Sequence, residues 1–210
     1  MGVKLLFLNK KRLEIMVALD EYVLRLPDEI RWDDAAFLAF CRMNDELNIE
    51  RDADGNIIIM SPTNTLSGFY ENKLLFILEL WNHSSKLGYT FSSSAGFTFA
   101  DGSMRAPDAS FILKARFDAL PESEKNQFAH IAPDFVAELR SKTDSLPKLQ
   151  LKMNAYIQNG VRLGWLIDLA GQEVWIYRQN GTVELVPFSA GKVSGEEVLP
   201  GFELELSVFE

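Results

Sequence analysis

The chain has 210 residues, a net charge of −9, one cysteine and two histidines. This length suits one domain with a full core, and hydrophobic and charged fractions of 47% and 24% are those of an ordinary soluble protein. One cysteine and two histidines exclude a disulfide framework and a zinc site built from cysteine or histidine. A bound metal would therefore take oxygen ligands, which favours Mg²⁺ or Mn²⁺. The negative charge excludes a broadly basic nucleic-acid-binding surface, although not a local basic groove.

The N-terminal residues carry little structural signal. The apolar segment 3–8 is followed, rather than preceded, by basic residues, which is the wrong order for a secretory signal. No apolar run reaches the roughly 18 residues that a membrane-spanning helix needs. We therefore expect a cytoplasmic protein without a membrane segment. Residues 1–30 are interpreted as an N-terminal extension, with a peripheral strand and helix as the alternative, and residues 31–210 as a single domain.

The first half of the chain predicts two helices around a hairpin. A helix begins at Asp33 or Asp34 and runs to about residue 44, and strands at 47–51 and 56–60 flank an Asp-Ala-Asp-Gly turn. A long helix follows over residues 65–86, with Gly88 as its stop. Apolar residues recur along one face of this helix at helical spacing, and a second set makes the opposite face apolar too, which predicts a helix buried on both sides. The first set is Leu66, Tyr70, Leu74, Ile77, Leu78 and Trp81, and the second is Phe69, Phe76 and Leu80.

The second half predicts a sheet built around one parallel pair. Strands are expected at 89–93, 96–99 and 108–113, with an Asp-Gly turn at 101–102 between the last two. Short helical pieces at 114–132 would cover a sheet edge. The strand 134–139, a helix from residue 144 or 145 to 158, and the strand 163–168 form a unit whose strands run parallel through a right-handed crossover. A hairpin at 174–178 and 183–187 and a short strand at 202–206 follow.

Glu138 is the most unusual carboxylate in the sequence because it lies inside a predicted strand. Alternation places it on one face with Val136 and Arg140, and a carboxylate in such a strand is costly unless something pairs with it. An ion pair with Arg105, or near Arg140, is one explanation. Asp108 alone is typical of a strand start after a proline, and a single lysine such as Lys152 is more often solvated than functional.

Four motifs carry a resemblance to a known family. They are Arg-x-Pro-Asp at 105–108, Glu-x-Arg-Ser-x-Thr-Asp at 138–144, Leu-Gln-x-Lys-Met-x-x-Tyr-Ile-x-x-Gly-Val at 149–161 and Leu-Gly-Trp-Leu-Ile-Asp at 163–168. Over about residues 33–206 the chain resembles the Uma-type restriction endonucleases of the PD-(D/E)XK nuclease superfamily. The resemblance implies an α/β (α+β) fold with a restriction-endonuclease-like core. In such a fold helices flank a mixed central sheet. In this chain we expect an additional helix and hairpin before that core and additional strands after it.

The resemblance also implies which acids do the chemistry. Asp108 and Glu138 are the catalytic acids and the ligands of one or two Mg²⁺ or Mn²⁺ ions. Glu71, on the long helix, matches a further acid that many superfamily members use as a ligand. Hard oxygen ligands are what Mg²⁺ prefers, often only one or two carboxylates completed by water and phosphate.

The basic residues depart from the superfamily pattern. Arg140 stands where the motif lysine is expected, and the resemblance moves the role of that lysine to Lys152 on the next helix. Arginine does not act as a base, so Arg140 is an accessory residue that clamps a phosphate or pairs with Glu138. Gln150 is a second accessory candidate that faces the site.

These motifs predict a Mg²⁺-dependent endonuclease that hydrolyses DNA phosphodiester bonds. Bound metal ions activate the attacking water and stabilise the negative charge of the transition state. We expect a homodimer, since a compact nuclease that cuts both strands commonly pairs. The alternative is a weakly active or inactive nuclease-fold protein that serves as a homodimeric binding or regulatory module, and the charge of −9 and Arg140 favour it. A metal-dependent hydrolase of another phosphate ester is the third reading.

Overall fold

Three sheets and the helices packed on them make up the part of the chain that a computed structural model describes, namely residues 21–27, 30, 32–142 and 144–209. The interpretation of residues 1–20 falls outside this part, as does Thr143 of the second motif. None of the described helices is long and apolar enough to cross a membrane.

The elements follow the predicted order, with several short strands added. The helices are α1 (Asp34–Met43), α2 (Thr65–Ser85), α3 (Lys114–Asp118), α4 (Glu122–Lys125) and α5 (Leu146–Gln158). The strands are β1 (Glu21–Leu24), β2 (Asn48–Arg51), β3 (Ile57–Met60), β4 (Gly88–Ser92), β5 (Phe97–Thr98), β6 (Met104–Arg105), β7 (Ala109–Leu113), β8 (Phe135–Arg140), β9 (Leu163–Asp168), β10 (Glu173–Arg178), β11 (Val183–Pro187), β12 (Lys192–Ser194) and β13 (Glu203–Glu205). Two 3₁₀ turns, Phe188–Ala190 and Leu206–Phe209, complete the C-terminal part.

The central sheet is mixed, which confirms the predicted α/β (α+β) fold class. Its strand order is β11-β10-β9-β8-β7-β4, with β8 and β9 parallel and every other pair antiparallel. Helix α5 connects the parallel pair, as the crossover pattern predicts. Strand alternation then separates two core regions. Phe135, Ala137 and Leu139 pack with α2 on one face, and Val136 packs with Met153 of α5 on the other.

The second sheet has the strand order β1-β3-β2-β6-β5. The predicted hairpin of β2 and β3 is confirmed, and β1 pairs with β3. The turn predicted at 101–102 is present, but a short strand, β6, lies between it and the strand predicted at 108–113. Phe97 and Thr98 pair with Arg105 and Met104, so the turn closes a hairpin of β5 and β6 in this second sheet. Pro107 follows β6, and because proline cannot donate a ladder hydrogen bond, the chain leaves this sheet there and enters the central sheet with β7.

The long helix ends earlier than Gly88. Lys86 adopts a left-handed conformation with φ 57° as the C-cap of α2, and its N–H donates to the carbonyl of Asn82. Gly88 instead opens β4, where a Cβ atom would lie 2.1 Å from the carbonyl oxygen of Ile112 on β7. The glycine is therefore needed for close approach of the two strands rather than for a helix stop.

Helix α2 is buried on one side only, so the prediction that both of its faces are covered is wrong. Leu74 and Leu78 are fully buried against the central sheet, whereas Phe69, Phe76 and Leu80 are 50%, 63% and 56% exposed. The β12–β13 pair forms its own small sheet, and Leu204 joins the same core cluster. The central sheet and the β12–β13 pair cover the face of α2 that carries Leu74. No described residue covers the opposite face of the helix.

Candidate active site

Four carboxylates from four separate elements meet beside the middle of β8. Glu138 belongs to β8 itself, Asp108 immediately precedes β7, Glu71 lies on α2 and Glu50 lies on β2. Two of them are almost wholly buried, since Glu50 is 2% and Glu138 is 4% exposed. Such a concentration of buried negative charge requires compensating cations or protonation.

Lys152 supplies part of that compensation. Its Nζ lies 2.9 Å from Oε1 of Glu138, and the hydroxyl of Tyr156, one helical turn further along α5, donates to the same oxygen at 2.7 Å. Burial alone would lower the pKa of Lys152, but Glu138 and Glu50 outweigh burial and raise it, so the ammonium group stays charged. The lysine of α5 therefore reaches Glu138, the acid with which the family resemblance groups it.

Asp108 lies across the β7–β8 pair from Glu138. Its Oδ2 accepts a hydrogen bond of 2.7 Å from the backbone N–H of Leu139. Burial, followed by the neighbouring carboxylates of Glu138 and Glu71, raises the pKa of Asp108 well above its usual range. The pKa of Glu71 is also raised, by burial first and then by Glu138 and Asp144, against a hydrogen bond from Thr63. These acids therefore repel one another in the folded chain.

Glu50 is a site residue that the sequence analysis missed. Its Oε1 lies 3.1 Å from Lys152 Nζ and accepts from the N–H of Ala106 at 3.0 Å, and its Oε2 lies 2.9 Å from Arg105 Nη1. Burial would raise the pKa of Glu50, but Lys152 and Arg105 outweigh it and lower the pKa. A signal was present, because Glu50 lies inside a predicted strand between Ile49 and Arg51, as Glu138 does in its own strand. Glu50, Arg105, Glu138 and Lys152 are called the ion-pair network below.

Of the two accessory candidates, Arg140 forms an ion pair beside the site, whereas Gln150 forms no polar contact with it. Arg140 Nη1 is 2.6 Å from Oδ2 of Asp168 on β9, and Arg140 Nε donates to the carbonyl of Asp144. The ion pairs of Glu138 suggested by the sequence, with Arg140 or Arg105, are thus replaced by its pair with Lys152. Gln150 is half-buried on α5 and takes no part in the contacts described above.

The donor set fits a hard cation held by few protein ligands. Among the described residues, no group of three or more His, Cys, Asp or Glu side chains has the arrangement of a complete metal cage. Mg²⁺ is commonly bound by one or two carboxylates, with water and substrate phosphate completing its shell. Asp108 and Glu138 match that pattern, and the raised pKa of both carboxyls indicates that added positive charge between them would be favourable.

The mixed sheet and its α5 crossover are those of the PD-(D/E)XK nuclease fold. The chain belongs to the Uma2 family, described as putative restriction endonuclease, whose model matches residues 34–207. This membership confirms the resemblance that the sequence motifs indicate. Nucleases of this kind typically use divalent metal ions.

One solved structure supports the fold. It is the crystal structure of a putative nuclease belonging to DUF820 from Anabaena variabilis, with a TM-score of 0.65 and 21% sequence identity. The match covers 77% of this chain and 88% of that chain. At this identity the likeness shows the fold alone. None of the curated proteins matches this chain.

Proposed function

We propose that the chain is a Mg²⁺-dependent endonuclease that hydrolyses phosphodiester bonds in DNA. The observation that carries this proposal is the meeting of Asp108, Glu138 and a charged Lys152 at one place in a nuclease fold. The family description supports a nuclease, and DNA is the substrate that a restriction-endonuclease-like site would take. The cytoplasmic location and the homodimer remain predictions.

In this proposal Asp108 and Glu138 hold the metal. A bound Mg²⁺ supplies a more acidic water and neutralises charge on the phosphate. Tyr156 donates its hydroxyl hydrogen to Glu138 Oε1 and so fixes the orientation of that carboxylate. Glu71, half-buried and close enough to raise the pKa of Asp108, is a third acid available to a metal ion.

Lys152 acts as a charge rather than as a base. Because its pKa is raised, it is protonated at neutral pH and donates hydrogen bonds to the attacking water or to a phosphate oxygen. Glu50 and Glu138 hold the ammonium from two sides, which keeps it in position before substrate binds. Arg140 is anchored by Asp168, and any contact it makes with phosphate starts from that anchored position.

The experiment is a supercoiled-plasmid nicking assay with Mg²⁺ or Mn²⁺. Wild type should nick the plasmid, while Asp108→Ala and Glu138→Ala should lose about 100-fold or more of the rate, the usual scale for removing one transition-state contact. Glu205→Ala, an exposed strand carboxylate on β13, is the matched control and should nick like wild type. Equal nicking by all four proteins would point to a contaminating nuclease and contradict the proposal.

A second candidate function is a nuclease-fold binding module with little activity. Arg140 favours it, because the superfamily's lysine position is occupied by an arginine already paired with Asp168. This alternative predicts that the chain binds its partner without metal and does not nick DNA with any metal ion. The nicking assay therefore distinguishes the two candidate functions.

A further inference from the structure

The face of α2 that no described part of the chain covers carries a regular apolar stripe. Its members, called the α2 stripe, are Leu66, Phe69, Lys73, Phe76 and Leu80, at spacings of three, four, three and four residues. The four apolar members are 58%, 50%, 63% and 56% exposed. Scattered exposed apolar residues are normal, but a continuous row of large ones is typical of an interaction site.

This spacing is the a/d pattern of a helix that packs lengthwise against another helix. Lys73 is the one charged member, and its Nζ turns to the carbonyl of Val208 at 2.9 Å and lies 4.7 Å from the ring centre of Phe69. The ammonium is thus satisfied by its own chain. The apolar parts of the stripe remain available to a partner helix.

We propose that the α2 stripe binds the same stripe of a second copy of this chain, with the two helices antiparallel. Read from either end, the stripe is Leu, Phe, Lys, Phe, Leu. A twofold contact places one surface against itself, so the leucines and phenylalanines of one stripe meet those of the other. The two Lys73 side chains come together at the centre, where each ammonium is held by the Val208 carbonyl of its own chain. The stripe contains no carboxylate, so a chain of net charge −9 meets its copy there without repulsion between acids.

The size of the surface is consistent with such a dimer. From Leu66 to Leu80 the helix rises about 21 Å at roughly 1.5 Å per residue. Each half-exposed phenylalanine offers about 100 Å². At that rate the four apolar side chains offer about 400 Å², half of the roughly 800 Å² per partner of a specific interface, so the contact must extend into a neighbouring groove. This groove of about 550 Å³ adjoins the stripe at Leu80, and its lining includes the apolar residues Ile77, Trp81 and Phe202 and one acidic residue, Glu203.

This inference rests on the homodimer part of the proposed function and not on nuclease activity. Helix α2 also carries Glu71, so pairing through α2 would link the candidate sites of two copies through two rigid helices in contact. A failure to nick DNA would leave the dimer standing, and a monomeric chain would leave the site standing.

The experiment is sedimentation of the full chain over a concentration series. Wild type should approach twice 23.8 kDa, and Phe76→Glu should sediment at 23.8 kDa, because a charge in the seam must be desolvated on pairing. Leu151→Glu, at a 70% exposed apolar position on α5, is the matched control and should still dimerise. Unchanged thermal unfolding of each variant checks the fold.

A charge-swap pair tests that the contact is with a second copy through this face. Phe76→Glu and Phe69→Lys should each be monomeric, and a mixture of the two should form a heterodimer, because the antiparallel contact places position 76 of one copy opposite position 69 of the other. A monomeric wild type, a Phe76→Glu variant that still dimerises, or a mixture that stays monomeric would each overturn the proposal.

Discussion

Some acids of the candidate site are paired with a cationic side chain, whereas others are not. The ion-pair network contains two carboxylates and two cations, so its charges balance. Asp108 and Glu71 receive their hydrogen bonds from neutral donors instead, the N–H of Leu139 and the hydroxyl of Thr63. The balance of charge therefore favours a cation beside Asp108, which is where the proposed metal binds.

Asp108→Asn should make the metal-free protein more stable at neutral pH. Asparagine keeps an acceptor for Leu139 and removes a carboxylate that burial and its neighbours disfavour, so the free energy of unfolding should rise by about 1–2 kcal/mol. Because the pKa of Asp108 is higher in the folded than in the unfolded chain, the folded state holds the extra proton. Stability therefore falls as pH rises from the ordinary carboxyl pKa through the folded one.

Urea unfolding of wild type and Asp108→Asn across pH measures this effect. The advantage of the variant should be full above the folded pKa of Asp108 and should vanish well below about pH 4, where the carboxyl is protonated in both the folded and the unfolded state. Asp108→Asn should at the same time lose nicking activity. A variant that is less stable than wild type at pH 8 would contradict the reading of Asp108 as an unfavourable charge.

Lys152→Met should destabilise the fold, since it leaves Glu138 and Glu50 without their shared cation. Removing one partner of a buried ion pair costs about 3–5 kcal/mol. The double variant Lys152→Met, Glu138→Gln should recover part of that loss, because Glu138 is the carboxylate left without a cation, whereas Glu50 keeps Arg105. Chemical denaturation of wild type, the two single variants and the double variant forms the cycle, and a Glu138→Gln effect of the same size with and without Lys152 would argue against coupling between the two residues.

At the scale of elements, local patterns in the sequence predict helices, hairpins and the parallel pair well. The alternation in β8 places Glu138 correctly, and the helical spacing in α5 places Lys152 on the side that faces it. Pairings between distant segments are less visible. Nothing in the local pattern of β2 shows that Glu50 will meet Lys152, because that contact joins residues 102 positions apart.

The same limit explains the errors around α2. Apolar residues on both faces predict burial, but burial depends on which elements lie nearby, and the central sheet covers the side of Leu74 and Leu78. Gly88 looks like a helix stop because glycine commonly ends helices. Its actual reason, a carbonyl of β7 that leaves no room for a Cβ, is a contact between strands that the local sequence does not contain.

Gly88→Ala should therefore be costly, and Gly164→Ala provides its control. An added Cβ at Gly88 would lie 2.1 Å from the backbone oxygen of Ile112, which moves only if the β4–β7 pairing shifts. At Gly164 the Cβ would meet the Cε of Met153 at 2.6 Å, at the flexible end of a side chain. We expect a loss of about 3 kcal/mol for Gly88→Ala and about 1 kcal/mol for Gly164→Ala, from the range for overpacking. Equal losses in urea unfolding would contradict this account.

At the scale of the whole molecule, the site joins the two larger sheets. Glu50 and Arg105 come from the second sheet, whereas Glu138 comes from the central sheet and Lys152 from the helix that crosses it. The ion-pair network is therefore also an internal link between the two sheets. Because Glu138 belongs to this network, a ligand that binds at Asp108 and Glu138 needs both sheets in their folded positions. Such a ligand should therefore stabilise the whole chain.

Divalent metal should accordingly raise the melting temperature of the wild-type chain. A ligand that binds only the folded state stabilises it by RT ln(1 + [L]/Kd), which is about 2.7 kcal/mol when the metal concentration is 100 times Kd. Mn²⁺ or Ca²⁺ at millimolar concentration should give the shift in wild type and a much smaller one in Asp108→Asn and Glu138→Gln. The shift should also shrink as pH falls, since protons compete for carboxyls whose pKa is already raised. Identical melting curves for wild type with and without metal at pH 8 would show that the two acids do not hold a cation, and would leave the binding-module alternative as the better account.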